Sequence, residues 1–255
     1  MSKQPGKVVL CGAGPGDIRF LTVFALQCIQ VADLVIADKL INPSILNLVK
    51  GELRMAPRHA HIKSDNAQED INTWMIASAK QGKMVVRLKT GDPFIFSRGG
   101  EEALLLSSHN IPWEYIPGVS SCIAASGRCN IPVLHRGLAN QLLIVTGVEE
   151  GGMQPKIPIH DDKRTTVILM GVKKLSSIVS VLLAQGYPLD FPVAIVERGS
   201  WPDQRVFKGT LSSIVDIVSS IEVRSPSQII VGHVVNVLND ASDCLSMYQD
   251  VELEQ

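Results

Sequence analysis

Again and again along this chain a short, unbroken apolar run ends in a turn carrying glycine, and apolar residues at helical spacing follow. Val8-Val9-Leu10-Cys11 leads into Gly12 and Gly14, and Leu21, Phe24, Ala25 and Cys28 then recur at i, i+3, i+4, i+7. An unbroken apolar run suits a strand buried on both faces, and the spacing after it suits a helix packed on that strand. Further strands are read at 34–36, 84–88, 113–116, 142–145, 166–169, 193–196 and 229–231. Helices are read at 67–80, along the Leu175, Ile178, Val179, Leu182 stripe and along the Leu211, Ile214, Val215, Val218 stripe. Strands alternating with helices predict an α/β protein with mostly parallel, mixed sheets. With 255 residues there is material for two domains, and the boundary is placed so that 1–135 form an N-terminal and 136–255 a C-terminal α/β domain. The segment from Glu149 to Lys163 is long, polar and rich in Gly and Pro; a mobile loop and a cover over a site both remain open.

Charge and cysteines narrow the function classes. A formal net charge of −1 gives no global basic field for nucleic acid. An anionic substrate must therefore meet a local basic cluster. The 5 cysteines are scattered, without a CxxC pair, which argues against a disulfide framework or zinc site and for a reducing compartment. Neither a leader peptide nor an apolar span of about 20 residues is apparent, so a cytoplasmic protein with no membrane partner is expected.

The glycine turns carry the chemistry. Gly12-Ala13-Gly14-Pro15-Gly16-Asp17 lies between a strand and a helix, where backbone N–H groups can cradle an anion. It is not a dinucleotide fingerprint, because Asp17 stands where GxGxxG needs its third glycine. A ligand cradle and a plain tight turn remain alternatives for it. A second loop, Thr90-Gly91-Asp92-Pro93, follows the 84–88 strand, and Gly91 permits close backbone approach. A third, Pro117-Gly118-Val119-Ser120-Ser121, precedes a helix rich in small residues. On a parallel sheet these loops share the carboxyl edge, where α/β folds bind ligands.

Taken together, GAGPGD, ADLVIAD, VVRLKTGDPFIFSRGGEE, PGVSS and IPVLHR, with TG and MG after later strands, resemble the uroporphyrinogen-III C-methyltransferase family, within the tetrapyrrole or class III methylases. The resemblance runs from about Lys7 to Val237. It implies two α/β domains with an interdomain cofactor cleft, a homodimer, uroporphyrinogen III as substrate and S-adenosyl-L-methionine as methyl donor, leaving S-adenosyl-L-homocysteine. It further implies that Pro15, Thr90, Gly91, Asp92, Ile95, Ser120, Ser121, Met170 and Gly199 contact the cofactor. Asp38 is implied as proton acceptor, with Arg98, Glu101 and Arg136 at the substrate carboxylates. No metal is implied, because a sulfonium is already an activated donor.

Each residue also has a plainer reading. Asp92 accepts hydrogen bonds from cofactor groups or starts an Asp-Pro turn. Asp38, ending an apolar strand, is a base tuned by partial burial, or a helix cap or turn residue. Arg98 and Arg136 are carboxylate forks or surface arginines, and His135 is a catalytic or a hydrogen-bonded structural histidine. The chain departs from the family pattern where Thr90 replaces a glycine and Lys39 an arginine. A lysine proton donor has no clear match; Arg58 or His59 falls nearby. Other readings left open are a later precorrin methylase, diphthine synthase and a non-catalytic nucleotide-binding module.

Overall fold

The structure is a computed structural model that describes residues 6–57, 65–149, 151 and 153–238. The chain forms two compact units, Met1–Ser121 and Cys122–Gln255.

The first unit is built on a five-stranded sheet of order β3-β2-β4-β1-β5, parallel throughout: β1 Lys7–Gly12, β2 Leu34–Ala37, β3 Glu52–Met55, β4 Met84–Lys89 and β5 Trp113–Ile116. Helices α1 (Val23–Val31) and α2 (Pro43–Leu46) cover one face; α3 (Asp65–Lys80) and α4 (Gly99–Ser108) cover the other. Val8, Val9, Leu10 and Cys11 are fully buried because successive side chains enter the two layers in turn. β1 and β4 are neighbours, yet β1 leads into α1 on one face and β4 into α4 on the other. A crevice opens beyond the carboxyl ends of two adjacent strands whose connections part in this way.

The second unit carries a mixed sheet of order β6-β7-β10-β8-β9: β6 Gln141–Thr146, β7 Arg164–Leu169, β8 Pro192–Glu197, β9 Arg205–Thr210 and β10 Ser227–Val231. β6 and β7 pair in parallel, whereas β10 is antiparallel to both its neighbours and β8 to β9. Helices α6 (Leu175–Ala184) and α7 (Ile214–Ser219) pack on one face. The other face receives α5 (Ser121–Arg128), through Cys122 and Ala125.

That last contact moves the division between units. The sequence reading puts it at 135/136, whereas the units divide after Ser121. The small face of α5 lets it lie close to the second sheet, with Gln228 Nε2 donating to Ser126 Oγ at 2.8 Å. Two strands also have no counterpart in the sequence reading. β3, mostly exposed, and β9, partly exposed, are edge strands in which polar residues interrupt the apolar ones, so neither shows an unbroken apolar run. Of the segment between Glu149 and Lys163, Ile157 is buried in the second unit's core, and the His160 ring stands edge-on to Tyr187 and Phe191. Among the described residues no helix is long and apolar enough to cross a membrane.

Candidate active site

Three loops meet at the carboxyl edge of the first sheet. Gly91 N–H donates to the Gly14 carbonyl at 2.8 Å, Gly14 N–H to the Gly91 carbonyl at 3.2 Å, and Ala13 N–H to the Lys89 carbonyl at 2.8 Å. The loops after β1 and β4 thus zip together across the switch point. The loop after β5 lies against both: a Cβ on Gly118 would stand 2.0 Å from the Gly91 oxygen, and one on Gly12 2.4 Å from the Gly118 Cα. Only glycine permits this approach. Gly91, at φ +68°, has an open side, where a Cβ would meet nothing nearer than Ser120 Cα and Ser121 N at 3.8 Å. Pro15 is buried in the first loop, and Asp17 caps the short turn after it by accepting from Arg19 N–H at 2.9 Å. Gly91, Asp92, Ser120 and Ser121 therefore share one junction, as the loop argument expects.

Asp92 is the clasp of that junction. Its Oδ1 accepts from Phe94 N–H at 2.8 Å, and its Oδ2 accepts from Tyr115 Oη–H at 2.6 Å and Gly118 N–H at 3.0 Å. The Phe94 ring stacks on Tyr115 with centroids 4.3 Å apart. So the Asp92 carboxylate starts the Asp-Pro turn and also ties the second loop to the third. Burial, with the Asp92 carboxylate adding to it, pushes the Tyr115 hydroxyl up to about 12. This folded-state value lies above the ordinary one, so the donation to Asp92 is intact below about pH 10 and is lost as the pH climbs through the raised value. In an alkaline titration followed by phenolate absorbance, Tyr115 is expected to ionise late. Tyr115→Phe should abolish the late step and cost about 1–2 kcal/mol of stability; a titration identical to wild type would break the assignment.

A second group of polar side chains lies beneath this edge. Asp38 follows β2 and is 27% exposed, with its Oδ1 2.5 Å from Arg87 Nη2. Arg87 and Lys89 alternate along β4 into the α3/α4 layer, where Glu102 of α4 accepts from both. Nearby, Arg98 pairs with Glu101 at 2.6 Å on the surface at the start of α4. The Arg98 hydrogen bond holds the Glu101 carboxyl below the usual carboxylate range. Ile95 lies between Phe94 and Phe96, all partly exposed. The Thr90 hydroxyl is buried without a hydrogen-bond partner among the described residues.

The second unit holds Met170, Gly199 and Arg136. The carboxyl ends of β6, β7 and β8 share an edge of its sheet, because β10 runs antiparallel to both β7 and β8. Gly147 and Gly171 touch there, a Cβ on Gly147 standing 2.3 Å from the Gly171 Cα. Gly199 is required by α5, since its Cβ would sit 2.4 Å from that of Ala125. Arg136 is exposed in a turn closed by a His135–Ala139 bridge, and His135 Nδ1 lies 2.9 Å from the Arg136 carbonyl. His135 is thus hydrogen-bonded within its own turn. Backbone strain gathers at these edges. Phe96, Arg98, Met170, Arg198 and Ser200 all have φ between +47° and +72°, a conformation costing about 1–3 kcal/mol per residue and typical of functional sites.

A family model described as Tetrapyrrole (Corrin/Porphyrin) Methylases matches residues 7–215. The chain is a tetrapyrrole methylase. A uroporphyrinogen-III C-methyltransferase of Methanocaldococcus jannaschii is 44% identical to this methylase over 239 residues, spanning 92% of this chain and 98% of the relative. A siroheme synthase of Gluconobacter oxydans is 40% identical over 242 residues, which are 91% of this chain but 50% of that protein. The crystal structure of a Thermus thermophilus uroporphyrin-III C-methyltransferase complexed with S-adenyl homocysteine superposes with a TM-score of 0.80 at 38% identity, covering 91% of this chain and 95% of that one.

The motifs and spacing along the chain give no role to Arg87, Lys89, Glu102 or Tyr115 of the methylase. A signal for the first two was present. Two cations at i and i+2, inside a strand expected to be buried on both faces, must share one buried layer and need an anion there. Arg58 and His59, considered for a proton donor, lie outside the described residues.

Proposed function

We propose that this methylase transfers methyl groups from S-adenosyl-L-methionine to ring carbons of uroporphyrinogen III, through precorrin-1 to precorrin-2, on the branch towards sirohaem and cobalamin. The observation that carries the reading is the junction of the three glycine loops at the switch point, in a chain 38% identical to an enzyme whose structure holds S-adenyl homocysteine.

The residues at the junction suit such a donor. Gly91 leaves its backbone open, the buried Thr90 hydroxyl has no hydrogen-bond partner among the described residues, and Phe94, Ile95 and Phe96 offer apolar surface. Polar groups of the ribose and amino acid suit the first two, and adenine suits the third. Pro15, Thr90, Gly91, Asp92, Ile95, Ser120 and Ser121 hold the donor; Asp92 does so by fixing the loops with its clasp. For Met170 and Gly199 the support is the family resemblance and the strained backbone at Met170 and beside Gly199. When bound, S-adenosylmethionine supplies a methyl group already activated on sulfonium. The protein's task is then chiefly alignment, which is worth about 7–11 kcal/mol in ideal models. Asp38 takes up the proton released by the alkylated macrocycle. Arg98 and Arg136 meet the acetate and propionate arms, and Glu101 steadies the Arg98 fork. We further propose that the enzyme is a cytoplasmic homodimer; sedimentation at the mass of one chain would remove the dimer.

The direct test is anaerobic incubation with uroporphyrinogen III and methyl-labelled donor. Two labelled methyls per macrocycle are expected, whereas label left wholly on the donor overturns the reading. Arg98→Ala should raise KM for the tetrapyrrole roughly tenfold, from loss of one charge-assisted hydrogen bond, with little change in donor affinity. An unaltered KM would take Arg98 out of the substrate site.

A further inference from the structure

Arg87 and Lys89 are among the most deeply buried charged side chains of the first unit. Removing two cations from water costs several kcal/mol each. α4 supplies one carboxylate against them. Glu102 Oε1 accepts from Arg87 Nε at 3.1 Å, Lys89 Nζ at 3.0 Å and Gln68 Nε2 at 3.2 Å, and its Oε2 accepts from Lys89 Nζ at 2.9 Å. The buried trio therefore carries one positive charge more than it cancels. The balancing charge is Asp38, the member of the group with appreciable solvent access.

The guanidinium is pinned around its fork. Nε is held by Glu102, and Nη1 donates to the carbonyls of Ile36 at 3.2 Å and Leu88 at 3.3 Å. Nη2 is left to meet Asp38 Oδ1. A planar group fixed at Nε and Nη1 presents Nη2 at one place, so it dictates where the Asp38 carboxylate rests. Lys89, on both Glu102 oxygens, keeps that carboxylate turned toward the fork. Stability alone is a weak reason for such a cluster, since well-packed apolar replacements for buried ion groups are often no less stable. The adjacent strand fills the same layer with Leu34 and Ile36.

We propose that Arg87, seated by Glu102 and Lys89, is a positioning residue that holds the Asp38 carboxylate in the orientation needed to receive the substrate proton. This inference rests on the reading of Asp38 as proton acceptor. Arg87 does not touch substrate; it acts through Asp38.

The test is a double-mutant cycle on the full chain. Arg87→Met removes the fork and leaves Glu102 neutralised by Lys89, so the variant should fold. Its kcat is expected to fall on the order of 100-fold, as for a misplaced catalytic group. KM for uroporphyrinogen III and the calorimetric affinity for S-adenosylhomocysteine should stay within about twofold, because the Arg87 side chain is only 3% exposed. Arg87→Lys, keeping charge without the fork, should recover only part of the rate. In an Asp38→Asn background Arg87→Met should add less than about twofold, since the two residues act as a unit. Full additivity, or a loss expressed in KM and donor affinity, overturns the inference while sparing Asp38. A wild-type rate for Asp38→Asn sinks the Asp38 reading and the inference with it. If Arg87→Met does not fold, Arg87→Lys is placed in the same cycle and judged by the same non-additivity.

Discussion

Asp38→Asn is expected to lower kcat for uroporphyrinogen III methylation by about 10²- to 10⁴-fold, the span usual for removal of a positioned general base. The substitution keeps the shape of the side chain and its acceptor oxygen toward Arg87, so the fold at the end of β2 should survive. Donor affinity should survive too, because Asp38 follows β2 whereas the glycine junction is built from the loops after β1, β4 and β5. Single-turnover methylation by enzyme preloaded with labelled S-adenosylmethionine separates the two effects. Slow turnover with unchanged S-adenosylhomocysteine binding is the expected pair. Loss of binding together with rate would make Asp38 a residue of the local architecture rather than of the chemistry.

Gly118→Ala is expected to cost about 3 kcal/mol of stability, the upper end of ordinary overpacking. The added methyl would lie 2.0 Å from the Gly91 oxygen and 2.7 Å from the Gly12 Cα, backbone atoms of loops that are tied to one another. Neither can yield without breaking the Gly14–Gly91 bridge or the Asp92–Gly118 hydrogen bond. The strain therefore falls on the site itself, and S-adenosylhomocysteine affinity should drop by more than roughly tenfold, about the worth of one charge-assisted hydrogen bond. Gly127→Ala is the matched control. It lies near the end of α5 where, its own helix backbone aside, no atom of the described residues comes within 4 Å of the added atom, and it should be neutral or gain roughly 0.5 kcal/mol from helix propensity. Urea unfolding with ligand calorimetry on both variants decides the matter. A Gly118→Ala protein as stable as wild type, still binding the ligand tightly, would show that the loops do not meet as described.

Asp92 and Arg87 mark the limit of reading from sequence, each in its own way. Asp92 stands in a conspicuous motif, and its Asp-Pro turn is local, so that role was open to inspection. Its bonds to Tyr115 and Gly118 join residues more than twenty positions away and depend on β5 pairing beside β1. Arg87 carried a visible oddity, a charge in an apolar strand, but its partners come from the turn after β2 and from α4. Nothing in the spacing along the chain links Asp38 with Glu102.

The order of the main strands and helices, the glycine loops that close the strands of the first unit, and the family itself were fixed by the sequence alone. These depend on side-chain periodicity and on glycine's freedom from a Cβ, which act over a few residues. Tertiary structure alone decided the antiparallel pairing of β10, the edge strands β3 and β9, the assignment of α5 to the second unit and the buried ion group under Asp38. Each of those depends on which surfaces meet across long stretches of chain, and local periodicity reports that a face is buried without saying against what.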